Sequence, residues 1–145
     1  MILRATEQAI QALLQIAVDD ITNFAGAVPV LLSDEEENKP PMPYIVAQCV
    51  EAEEQISPGC GIFKVSGEIR LRSHTKGSSP DERQELLDAI NNFAYNSTAT
   101  KLSALDDFHC YGWQPTTGAL TVEPETKSYL YTMKYTAICM ARDNT

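Results

Sequence analysis

Two long stretches of the chain alternate apolar and polar residues at every step. In the first, Phe63, Val65, Gly67, Ile69 and Leu71 alternate with Lys64, Ser66, Glu68, Arg70 and Arg72. In the second, Tyr129, Tyr131, Met133, Tyr135, Ala137 and Cys139 hold one parity, while Thr132, Lys134 and Thr136 hold the other. Successive side chains of a strand point to opposite faces, so each stretch predicts a half-buried strand with one wet face. A sheet built from such strands needs an apolar layer on one side only.

Helices can supply that layer. Ile10, Leu13, Leu14, Ala17, Ile21 and Phe24 recur at helical spacing, with Gln11, Gln15, Asp19 and Asp20 expected to face away. This helix should begin between Leu3 and Thr6 and end before Gly26, a residue suited to a C-terminal cap. The second helix has a capping box: Ser79 at the N-cap, Pro80 in the first turn and Glu82 three residues after the serine. Its apolar stripe is Leu86, Ile90, Phe93 and Ala94, supported by Leu87.

Shorter signals fill in the order. Val28 to Leu32 reads as a first strand, and the chain from Pro43 to Gln55 as another around Tyr44-Ile45-Val46-Ala47. Ser57-Pro58-Gly59-Cys60-Gly61 turns the chain back. A polar connection from Asn96 to Thr100 precedes a strand or two between Phe108 and Val122, broken near Pro115-Thr116-Thr117-Gly118. Glu123-Pro124-Glu125 then turns into the last strand. Helix, two or three strands, helix, two or three strands predicts an α+β fold, a mainly antiparallel sheet with two helices packed on one face. The 145 residues, 43% of them hydrophobic, form a single domain on this reading. Long edge strands under limited helical cover would need protection, which association into a ring can supply.

Composition narrows the function classes. No run of about 18 apolar residues is present, so no membrane-spanning helix is expected. The polar interruptions Gln11, Gln15 and Asp19 make the start unlike a signal peptide, and the chain is expected to be soluble and made in a cytoplasm. The net charge of −9, from 20 acidic and 11 basic residues, opposes gripping a nucleic acid backbone. It suits a surface past which nucleic acid slides, because negative charge repels it. The aromatic face from Tyr129 to Tyr135 has only Lys127 and Lys134 nearby, so it reads as packed tyrosines rather than a base-stacking platform.

Reactive constellations are sparse. Cys49, Cys60, Cys110 and Cys139 form no C-x-x-C pair, only His74 and His109 could assist them, and the thiols read as small hydrophobes. His109 and Cys110 are adjacent on a strand and should point to opposite faces. Asp106, Asp107, His109 and Cys110 remain the candidates for an alternative reading, a small metal- or ligand-binding enzyme domain. Gly59-Cys60-Gly61 and Lys76-Gly77-Ser78-Ser79 match neither phosphate-loop pattern, and Asp81 and Glu82 would repel a phosphate at the helix start. The acidic stretch Asp34-Glu35-Glu36-Glu37, inside a proline-closed loop from Ser33 to Pro41, lacks calcium-loop spacing. It reads as a solvated face or docking surface. No cofactor or metal is expected.

The order and texture of these elements resemble the tail terminator and related neck proteins of long-tailed bacteriophages. The helix from Thr6 to Phe24, the Val28-Pro29-Val30 strand and the proline-edged loop into Pro43-Tyr44-Ile45-Val46 carry the first half of the resemblance. The strand Gly67 to Ser73, the helix Asp81 to Ala94 and the closing strand Tyr129 to Met140 carry the rest. The resemblance implies a structural virion protein without catalytic residues, a homohexameric ring that caps the tail tube and joins it to the head. Its partners would be itself, the tail tube protein and a head-completion or connector protein, with DNA passing through the lumen unbound. Another neck protein is the nearest alternative. On this reading Asp34, Glu35, Glu36 and Glu37 face the lumen or the tube.

Overall fold

The computed structural model describes residues 2–20, 28–38, 43–54, 61–74, 80–105, 108–125 and 127–141, and the following statements concern these. The two alternating stretches become the central strands β3 (Phe63–His74) and β6 (Ser128–Ala141), paired antiparallel along their whole length. β2 (Tyr44–Glu54) lies antiparallel on the far side of β3, and β1 (Val30–Leu32) pairs with β2 in parallel. On the other side of β6 lie β4 (Phe108–Pro115) and β5 (Ala119–Glu123), one after the other along the same strand. The sheet is thus six-stranded, in the order β1-β2-β3-β6-β4, with β5 also against β6. This is the expected α+β fold, mainly antiparallel, around one main core.

The core lies on the face predicted by parity. Val65, Ile69 and Leu71 of β3 and Tyr131, Met133, Tyr135, Ala137 and Cys139 of β6 are all buried there. Above them run α1 (Ile2–Asp19) and α2 (Pro80–Tyr95), which also pack on each other. α1 buries Thr6, Glu7, Ala9, Ile10, Leu14 and Val18. It starts slightly earlier than expected, at Ile2; Ile21, Phe24 and the expected Gly26 cap lie outside the described residues. α2 begins at Pro80 as its start signal predicts, and buries the expected Leu86, Ile90, Phe93 and Ala94.

A third helix, α3 (Thr98–Ser103), stands where a polar connection was expected. Only Leu102 and Thr98 of this short segment are buried, so its sequence has too little periodicity to announce a helix. Ser97 takes a left-handed backbone (φ 54°) that breaks the chain between α2 and α3. The buried Thr98 hydroxyl donates to the Phe93 carbonyl and so satisfies an acceptor at the end of α2. The acidic stretch also differs from a plain loop: Ser33–Asn38 winds into a 3₁₀ helix.

One row of contacts crosses four of the six strands. Gly67 of β3 stands opposite Tyr135 of β6, and a Cβ at Gly67 would lie 2.1 Å from the Gln48 carbonyl oxygen and 2.5 Å from the Tyr135 hydroxyl. The bare glycine lets the tyrosine lie across β3 and donate a 2.9 Å hydrogen bond to Gln48 on β2. Trp113 of β4 stacks on Tyr135 with centroids 4.8 Å apart, and Phe93 of α2 meets Trp113 edge-on at 5.8 Å. The indole Nε1–H donates to the Ala94 carbonyl at 2.8 Å. Gly67→Ala should therefore destabilise the fold by about 3 kcal/mol, because backbone as well as side chain must move. Tyr135→Phe, which loses only the hydroxyl bond, should cost about 1 kcal/mol. Urea denaturation of both variants tests the ranking.

Candidate functional site

Of the four residues proposed for chemistry, the structure describes His109 and Cys110. Cys110 points into the core and its Sγ–H donates to the Gly112 carbonyl at 3.1 Å. His109, one residue earlier, packs its ring against Tyr111 at 4.4 Å. Asp106 and Asp107 lie outside the described residues, as do Cys60 and the Gly59-Cys60 and Lys76-Gly77 turns. Among the described residues no three metal-binding side chains cluster, and no helix is long and apolar enough to cross a membrane. Cys49, Cys110 and Cys139 are free and buried. Burial pushes the Cys49 thiol up to about 12 and the Cys139 thiol to about 11, and raises Cys110 too. A nucleophile or metal ligand needs the thiolate, so these three act as apolar packing groups at neutral pH.

The acidic turn is held rather than free. Asp34 accepts a 2.7 Å bond from the Arg4 guanidinium of α1, which lowers the Asp34 carboxyl below its ordinary value. Glu35 accepts from the Leu32 amide at 3.1 Å and from Gln11 Nε2 at 3.5 Å. Both carboxylates are exposed, and the side chains of Glu36 and Glu37 are outside the described set. Asp34 and Glu35 thus present negative charge at a fixed place on the α1 side of the domain.

Sequence reasoning missed the carboxylate that anchors this region. Glu7 is 4% exposed. Its oxygens accept from the Ser33 amide at 3.2 Å, the Ser33 hydroxyl at 2.9 Å and the Cys49 amide at 2.9 Å. The Cys49 amide stands just before a bulge in β2, where the register shifts between Cys49 and Glu51. β1 ends two residues too early to pair with it, and Glu7 takes the missing strand's place. The legible signal was position: Glu7 lies three residues before Ile10 and seven before Leu14, on the apolar stripe itself.

The sheet edges are treated unequally. The expectation that Gln11 and Gln15 face away from the fold is corrected here. Gln15 donates to the Val28 carbonyl at 2.9 Å and accepts from the Val30 amide at 2.8 Å, while Gln11 donates to the Val30 carbonyl at 2.8 Å. α1 runs along the β1 edge, and these amides satisfy backbone groups that a neighbouring strand would otherwise pair. At the other edge, the Ser103 hydroxyl of α3 donates to the Cys110 carbonyl at 3.0 Å and accepts from its amide at 2.9 Å. Beyond it, β5 carries Leu120 and Val122 at 45% and 55% exposure. Gly118 precedes this strand because the Tyr131 ring fills the place of its Cβ, 2.1 Å away.

The face away from the helices is polar. Arg70 bonds Glu68 at 2.6 Å and Gln48, while Arg72 bridges Glu123 and Ser128. Leu31, Tyr44 and Val46 form a small second cluster on it near β1. A shallow groove of about 500 Å³ crosses β3, β6 and β4 there, flanked by Lys64, Gln114, Thr136 and Ile138. No protein-family model matches the chain, and no curated protein matches it significantly.

Two outcomes follow from the buried groups. Glu7→Ala leaves the Cys49 amide buried and unpaired and should cost about 3 kcal/mol, with Glu7→Gln costing less because one acceptor remains; urea denaturation measures both. Cys49 titrates from the model-peptide value of 9.0 when unfolded but only near about 12 when folded. The unfolded chain then holds fewer protons in that window, so stability is full below pH 9.0 and falls as pH rises toward about 12. Melting temperatures across this range should drop, and Cys49→Ala/Cys139→Ala should flatten the decline.

Proposed function

We propose that this chain is a tail terminator of a long-tailed bacteriophage, the subunit of a homohexameric ring that caps the tail tube and joins it to the head. The observation that carries this reading is the inequality of the sheet edges. β1 is closed from within by Gln11 and Gln15, whereas β5 leaves Leu120 and Val122 exposed. A subunit with two unlike flanks is suited to heterologous contacts, which close into a ring when the rotation permits. The resemblance in element order gives that ring its place in the neck of a virion.

The partners follow as part of the proposal: further copies of the chain, the tail tube protein and a head-completion or connector protein. DNA passes the lumen without specific binding, and the 3₁₀ turn with Asp34, Glu35, Glu36 and Glu37 supplies repelling charge on the lumen or tube side. The protein acts in the virion after assembly in the host cytoplasm. Its work is mechanical and uses no cofactor.

Light scattering after size exclusion should give about six times the 16.0 kDa chain mass, or a monomer that forms rings on purified tail tubes under negative stain. A protein that leaves tube ends bare at every concentration defeats the reading. Substituting Glu35, Glu36 and Glu37 by serine should impair DNA passage through assembled rings; unchanged assembly and passage would make the turn a solvated surface only.

A further inference from the structure

Strand register brings two of the free thiols face to face. Cys110 of β4 stands opposite Cys139 of β6, and both side chains belong to the buried core. The bulge that follows, between Cys110 and Gly112, leaves this pairing in place. Their backbones turn away from each other. The amide and carbonyl of Cys110 both bond the Ser103 hydroxyl, on the outer side of β4. The Lys134 carbonyl accepts the Thr116 amide on the β4 side of β6, so by alternation Cys139 turns its own amide and carbonyl toward β3. The two cysteines are therefore a non-hydrogen-bonded antiparallel pair, the arrangement that brings opposite Cα atoms to about 4.5 Å. A disulfide needs a Cα separation of roughly 4.4 to 6.8 Å.

The third buried thiol does not compete. Cys49 lies on β2, with β3 between it and β6. Two strand spacings put its Cα roughly 9 to 10 Å or more from that of Cys139, too far for a bridge without backbone movement. Each sulfur of the pair has a weak partner of its own: Cys110 Sγ the Gly112 carbonyl at 3.1 Å, Cys139 Sγ the Thr6 hydroxyl at 3.7 Å. Rotation of the two side chains about χ1 exchanges those contacts for one between the sulfurs. Burial holds both thiols protonated, so in the closed fold neither is a nucleophile at neutral pH. Cys110 is the more reachable of the two, because β4 ends the sheet order and the Ser103 hydroxyl is what holds its outer side at this position.

We propose that Cys110 and Cys139 are a redox pair, which an oxidant of the small-disulfide class joins into a cross-strand bond tying β4 to β6. When β4 loosens from Ser103, the Cys110 thiolate attacks one sulfur of the small disulfide and releases its first thiolate. The Cys139 thiolate then attacks the Cys110 sulfur of the mixed disulfide and releases the second. The protons shed by the two cysteines go to the two released thiols; the cysteines are oxidised by two electrons and the small disulfide is reduced by the same two. Reduced, the pair packs the core. Oxidised, it closes the loop that carries β5 and takes that freedom from the unfolded chain. A reducing cytoplasm keeps the first form and an oxidising medium favours the second. The bond needs neither a ring nor a partner chain.

The test holds the whole chain in oxidised glutathione at about pH 8.5 and maps it with trypsin without reduction. Cleavage after Lys101, Lys127, Lys134 and Arg142 puts Cys110 and Cys139 on separate peptides, with Cys49 and Cys60 together on a third. A linked Cys110–Cys139 peptide pair should appear, the urea midpoint should rise by about 1 M or more, and dithiothreitol should reverse both. Cys110→Ala should abolish the link and the shift. Ser103→Ala should form the link about ten-fold faster, because an edge no longer held opens more often. Refolding from urea in a glutathione buffer offers the same pairing a route that needs no opening of the folded chain. Linkage through Cys49 or Cys60 instead, absence of the Cys110–Cys139 link by both routes, or a link that leaves the urea midpoint unchanged or lower overturns the proposal. An unchanged rate in Ser103→Ala overturns entry through the β4 edge.

Discussion

The sheet depends on a tyrosine lying across a glycine. Tyr135 can reach the Gln48 carbonyl only because Gly67 has no side chain in its way. Trp113 then stacks on the tyrosine, and Phe93 and Ala94 of α2 close over the indole. Four strands and a helix are thereby joined by side chains as well as by backbone pairing. Such a row fixes strand register, because a one-residue slip would turn Tyr135 to the wet face and put a side chain where Gly67 must be.

A second device holds the other half. Where β1 ends, β2 has an amide left over, and Glu7 reaches from α1 to accept it together with the Ser33 amide and hydroxyl. Gln11 and Gln15, one and two turns further along the helix, do the same for the outer side of β1. α1 therefore serves as a surrogate strand through its side-chain amides and carboxylate. This leaves the α1 flank closed to strand addition. The β5 edge has no such helix, and its apolar residues stay exposed. The proposed ring contact grows from that difference between the two flanks.

The long alternations and the α2 start signal were legible because they reflect local geometry repeated many times. A strand of twelve residues or a helix of sixteen displays its period several times over. α3 was not legible, since six residues contain fewer than two helical turns. The parallel pairing of β1 was equally hidden, because three buried residues, Val30, Leu31 and Leu32, carry no mark of direction. Glu7 and the two glutamines read as ordinary polar residues of an amphipathic helix. Their partners are backbone groups 13 to 42 residues away, and no local pattern encodes those.

Residue order alone determined which faces are dry, how many layers the domain needs, and that Cys49, Cys110, Cys139, Tyr131 and Tyr135 belong to the interior. These follow from solvent exclusion acting on a periodic chain, and periodicity is written in the sequence. Tertiary structure alone decided which polar residues are structural, which sheet edge is closed and where the apolar surface comes through to solvent. Those depend on which segments meet across the fold: a buried amide or an uncovered valine exists only once the neighbouring strand is known to end.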